Sequence, residues 1–196
     1  MRRTKAKEII AALNELEEVK DCTIYGSLAS GTDDALSDID IEVDVSGCDN
    51  GKFMLALPEL LVDKIDIYYA DYAPSLVPEY YIISLALDES DPFLIADIRC
   101  CAEPHCQSVT RERVTVLNGK FTHTLKLWTA NLKHYARGAD CRGDILRMAA
   151  KLGMDNAESV SEKEMLAVVL RWIEDNVELG LETFVAACRR KFEELI

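Results

Sequence analysis

The chain has 196 residues, of which 49% are hydrophobic, with 35 acidic against 22 basic side chains and a net charge of −13. That length accommodates one domain or two small ones, and the apolar share is ample for a packed core. No run approaches the roughly 18–20 apolar residues of a membrane span, and an acidic chain lacks the broad positive face of a nucleic-acid enzyme, so neither partner is expected.

Residues 4–19 read as a helix, with Ile9, Ile10, Leu13, Leu16 and Val19 at helical spacing. The amino terminus leads into this amphipathic pattern rather than an apolar signal core. Seven irregularly placed cysteines are then expected as reduced thiols in a cytoplasmic protein. Cys22–Tyr25 is a short β-branched and aromatic run that ends at Gly26. The turn Gly26-Ser27-Leu28-Ala29-Ser30-Gly31 is expected to open a brief helix whose first N–H groups suit phosphate, aided by the Ser27 hydroxyl.

Residues 38–45 alternate without a break, Asp38, Asp40, Glu42 and Asp44 on one side and Ile39, Ile41, Val43 and Val45 on the other. That is a strand with one apolar and one acidic face. Like charges along one face repel, and divalent cations would remove that penalty at Asp38 and Asp40. Glu42 and Asp44 are expected to face solvent. Residues 64–70 form another strand candidate, with Asp66 opposite Ile65 and Ile67. Residues 80–85 and 93–98 read as a strand pair around the Asp88–Pro92 turn.

From about residue 119 the pattern is helical. Leu125, Trp128, Leu132 and Tyr135 share one face of a helix running to about Arg137, with Lys126, Lys133 and Arg137 on the other. Helices over 143–152, from the Ser161-x-x-Glu164 capping box with Leu166, Val169, Leu170, Ile173 and Val177 inward, and over 181–195 complete a predicted four-helix bundle.

Gly26-Ser27, a gap, and Asp38-Ile39-Asp40, flanked by predicted strands, resemble the signature of nucleotidyltransferases of the DNA polymerase β type, including the small antibiotic-modifying members. The likeness covers about residues 20–70. It implies an α+β chain: a catalytic domain over 1–110, with a mixed sheet and helices on one face, and a helical domain over 111–196. It further implies two Mg²⁺ ions held by Asp38 and Asp40, phosphates anchored by Gly26 and Ser27, and ATP or another triphosphate as substrate. A third acidic residue is expected on a neighbouring strand as general base or additional metal ligand. Asp66 is the first choice and Asp97 the second. One departure is that the turn carries Ser30 where members often carry a basic residue, and no Lys or Arg occurs between Lys20 and Lys52.

Charge is unevenly spread. Residues 1–110 hold 22 acidic against 8 basic side chains, whereas residues 111–151 hold 9 basic against 3 acidic. One compact basic island fits one polyphosphate better than a polymer, and Lys126, Lys133 and Arg137 are its expected phosphate contacts, the alternative being a solvated helix face. Cys100, Cys101, His105 and Cys106 are crowded, but their spacing is poor for zinc. Trp128 reads as core, and His123 and His134 as structural.

The expected activity is transfer of AMP from ATP to a hydroxyl of a small acceptor, with the acidic surroundings favouring a polycation such as an aminoglycoside. The alternatives are an antitoxin-like relative that modifies a helical toxin protein, and a non-catalytic nucleotide binder.

Overall fold

The computed structural model describes residues 1–73, 80–105, 108–154 and 159–196. The chain is α+β and divides into two compact units, one of residues 1–88 and 93–119, the other of residues 89–92 and 120–196. The break falls after Gly119 rather than after residue 110, because a short helix, α4 (Arg111–Leu117), packs on a strand of the first unit. Among the described residues no helix is long and apolar enough to cross a membrane.

The first unit holds α1 (Arg2–Leu13), β1 (Asp21–Ile24), α2 (Gly26–Ser30), β2 (Ile39–Asp44), α3 (Asn50–Leu61), β3 (Tyr69–Ala73), β4 (Tyr80–Ala86), β5 (Ile95–Cys101) and α4. The sheet order is β1-β2-β5-β4-β3, with β2 and β5 parallel and the other neighbours antiparallel. Ile39, Ile41, Val43, Ile83, Leu85, Ile98 and Cys100 share one core with Ile9 and Leu13 of α1 and Phe53, Met54, Leu57 and Leu61 of α3. Burial of that apolar surface is what holds the helices to one face of the sheet.

The alternation expected over 38–45 is present: Ile39, Ile41, Val43 and Val45 are buried, while Asp38, Asp40, Glu42 and Asp44 are half-buried. α1 stops at Leu13 instead of continuing to 19. Successive turns, with Leu16 N–H donating to the Leu13 carbonyl and Val19 N–H to that of Leu16, still keep both side chains against the core. The strand expected over 64–70 begins only at Tyr69.

The second unit contains α5 (Lys120–Ala136), α6 (Arg142–Lys151), α7 (Glu162–Asp175) and α8 (Glu182–Leu195). Trp128 is fully buried, its indole Nε1–H donating to the Leu166 carbonyl at 2.9 Å and its ring 6.3 Å from that of Phe192. The Ser161–Glu164 capping box starts α7. Val177, expected inward, lies beyond the end of α7 and is exposed.

Candidate active site

The expected phosphate turn and acidic strand are joined at one point. Tyr25 N–H donates to the Asp40 carbonyl at 3.0 Å, so β1 ends beside the residue that opens the acidic row of β2. Gly26 follows with φ +66°, and its Cα lies against the Asp40 carboxylate. A Cβ there would collide with Asp40 Oδ2 and stand 3.0 Å from its Cγ. Only glycine combines that backbone with that approach. α2 is a single turn closed by Gly31 at φ +74°. The Ser30 hydroxyl lies within hydrogen-bond distance of the Gly26 and Ser27 carbonyls at 3.2 and 3.1 Å, so Ser30 stiffens the turn from inside. Ser27 is half-buried.

The loop before Asp38 is pinned from α1. Arg2 Nε donates to the Ser37 carbonyl at 2.6 Å and its Nη2 to the Ala35 carbonyl at 2.5 Å. The buried Ser37 hydroxyl donates to Asp34 Oδ1 at 2.9 Å and accepts the Asp34 N–H at 3.0 Å. A residue 35 positions away in sequence therefore sets where Asp38 enters the strand, and no local pattern announces it.

β2 and β5 place Asp40 directly beside Asp97, and the next rung pairs Glu42 with Arg99. Ser84 of β4 stands opposite Asp97, and its hydroxyl donates to Asp97 Oδ1 at 2.5 Å. The Arg99 guanidinium pairs with Glu42 and lies over two rings, 4.4 Å from the centre of Tyr25 and 4.8 Å from that of Tyr80. Burial opposes its charge, but Glu42 and hydrogen bonds to Glu42 and Tyr80 outweigh that and push its pKa up. Burial also drives the Tyr25 hydroxyl up to about 12; Asp40 and Asp97 push the same way, and Arg99 opposes them.

Asp66 lies in the connection from α3 to β3, exposed. β3 is the edge strand three positions from β2, about 14 Å away at the usual strand spacing of ~4.8 Å. The carboxylate on the strand beside Asp40 is therefore Asp97, the second choice, and not Asp66. The β3–β4 pair is interposed in sequence before the strand that joins β2, a crossover that strand periodicity does not reveal.

The lysines expected to meet phosphate belong to the second unit. Lys126 is half-buried, but Lys133 is only 5% exposed, because α5 is buried over more than half its circumference, from Thr124 and Asn131 round to Thr129 and Lys133. Other members of the basic island are engaged inside that unit: Arg142 donates to the Val160 carbonyl, Arg147 pairs with Asp144, and Lys151 contacts His123.

Asp38, Asp40 and Asp97 offer only carboxylate oxygens, the donor type a hard divalent cation takes, and Asp40 and Asp97 stand side by side on adjacent strands. Among the described residues no three His, Cys, Asp or Glu side chains are gathered closely enough to hold a metal by themselves. Burial, followed by Glu42, pushes the Cys101 thiol up to about 11, and burial pushes Cys100 higher still, so neither is a ready thiolate ligand. His105 stacks on Tyr81, and Cys106 lies outside the described residues. No family model, curated protein or solved structure matches this chain.

Proposed function

We propose that the first unit is a nucleotidyltransferase domain of the DNA polymerase β type, joined to a helical bundle. Its reaction transfers a nucleoside monophosphate, AMP from ATP, to a hydroxyl of a small polycationic acceptor. The observation that carries this reading is the Asp40–Asp97 rung, lying against the Gly26 turn. It supports a carboxylate site beside a small-residue bend whose backbone N–H groups can meet phosphate.

Asp38 and Asp40 would hold divalent cations such as Mg²⁺, which when bound screen the phosphate charge and polarise the α-phosphorus. The chain's own residues do the rest. Gly26 and Ser27 seat the phosphates. Ser84 holds one oxygen of Asp97 and leaves the other, Oδ2, for the acceptor. The acceptor oxygen bonds to the α-phosphorus as the bond from that phosphorus to the bridging oxygen breaks. Pyrophosphate leaves with that electron pair, and the hydroxyl proton passes to Asp97 Oδ2. The acidic row of β2 favours a positively charged acceptor.

The test is Mg²⁺-dependent pyrophosphate release from labelled ATP across a library of hydroxylated acceptors that includes aminoglycosides. Label transfer to an acceptor, lost in Asp40→Ala, is the expected result. Turnover in Asp40→Ala within a few-fold of the parent overturns the metal assignment, and no transfer to any acceptor overturns the reaction.

A further inference from the structure

We propose that Arg99 is the cation that takes up the nucleotide's polyphosphate, exchanging its pairing with Glu42 for phosphate oxygens. The inference rests on the nucleotidyl-transfer reading and deepens it by naming the residue that meets the charge of the substrate. The Gly26–Gly31 turn brings no basic side chain, since none occurs between Lys20 and Lys52. Among the described residues of the five strands, Arg99 is the only Lys or Arg. It shares the face of Asp97 and lies one rung along, about 6.6 Å at ~3.3 Å per strand residue.

Its resting contacts are poised for exchange. The rings of Tyr25 and Tyr80 hold the guanidinium in one orientation. The closest contact of the ion pair to Glu42 is through Nη2, while Nε is buried with no hydrogen-bond partner. A phosphate accepts two parallel N–H bonds from a guanidinium, so the exchange would give the orphaned Nε–H an acceptor that Glu42 does not supply. The Glu42 side chain is 40% exposed and can return to water when released. A residue that merely neutralised the acidic strand would have no use for an unpaired donor.

Calorimetric titration of MgATP, with AMP as a second probe, into the full chain and into Arg99→Ala, Arg99→Lys and Glu42→Gln variants tests this, with thermal unfolding as the control for fold. Arg99→Ala should weaken MgATP binding about 10- to 100-fold, the range for one charge-assisted hydrogen-bonded contact. Arg99→Lys should recover only part of that, since an ammonium lacks the fork. Glu42→Gln should tighten MgATP binding several-fold by weakening the competing acceptor. AMP affinity should change less than about 3-fold, one phosphate group making the smaller demand on the fork. Where Arg99→Ala loses its fold, the Lys and Gln variants decide. MgATP affinities equal to wild type, or an equal loss for AMP, overturn the inference and leave the nucleotidyl-transfer reading standing. A wild-type chain that binds no MgATP overturns both.

Discussion

Ser84 Oγ donates to Asp97 Oδ1 at 2.5 Å from the facing position on β4, and Ser84 itself is only 1% exposed. A buried hydroxyl aimed at a half-buried carboxylate fixes the carboxylate's rotamer before any substrate arrives. Ser84→Ala should therefore destabilise the fold by about 1–3 kcal/mol, the penalty for removing one partner of a buried hydrogen bond. It should also slow the proposed nucleotidyl transfer about 10- to 100-fold, because small misplacements of a reacting group are costly. Thermal unfolding and turnover on the same samples check the two effects. A variant that loses stability but keeps full turnover would show that Ser84 serves only the sheet.

Gly26 and Gly31 share a left-handed backbone but differ in surroundings, which separates strain from collision. At Gly31 (φ +74°) nothing lies within 4 Å of a built Cβ, so Gly31→Ala should carry only the backbone cost, about 1 kcal/mol. At Gly26 (φ +66°) the same methyl drives into the Asp40 carboxylate. Gly26→Ala should destabilise by at least 1 kcal/mol more and displace Asp40, abolishing transfer, whereas Gly31→Ala should retain it. Unfolding midpoints and activity assays on the pair measure the difference.

The legible part of this chain is its local chemistry. Alternation over 38–45 announces the faces of β2 because strand side chains repeat every two residues. The Ser161–Glu164 box and the apolar spacing after it likewise announce α7. What escapes is anything set by long-range pairing. The choice between Asp66 and Asp97 depends on which strand lies beside β2, and nothing local to either aspartate records that. α3 (Asn50–Leu61) has no counterpart among the expected elements, since Gly51 and Pro58 interrupt its helical signature. Its start is nevertheless marked by Asp49, which caps the Gly51 and Lys52 N–H groups. A single apolar stripe puts Lys133 on the opposite face as a phosphate contact, whereas α5 packs against α6, α7 and α8 and is buried more widely than one stripe allows.

The sheet order makes a sharp contrast between two aspartates. Asp97→Asn removes a carboxylate from the rung beside Asp40 and should lower transfer on the order of 10³-fold, as expected for lost preorganised charge. Asp66→Asn alters an exposed loop residue and should leave turnover within about 2-fold of the parent and stability within ±0.5 kcal/mol. Steady-state kinetics on both variants decide. If the two outcomes were reversed, the crossover that brings β5 beside β2 would not be the arrangement that carries the proposed transfer.

Tyr25 supplies a pH signature of the crowded rung that needs no substrate. Its hydroxyl titrates near 10.0 when exposed and is pushed up to about 12 in the folded chain, first by burial and then by Asp40 and Asp97 against the opposing Arg99. The folded state therefore prefers the protonated phenol more strongly than the unfolded state does. The resulting stability is fully present below pH 10, and it is lost as the pH rises from about 10 through about 12. Tyr25→Phe has no such proton to lose, so over that window its unfolding midpoint should fall less steeply than that of the parent. Ultraviolet difference titration should meanwhile find one fewer late-ionising tyrosine in the variant. Asp40→Asn removes one of the charges that raise the hydroxyl and should move the Tyr25 titration back toward 10. An unmoved titration in that variant would mean that the two side chains do not share the rung.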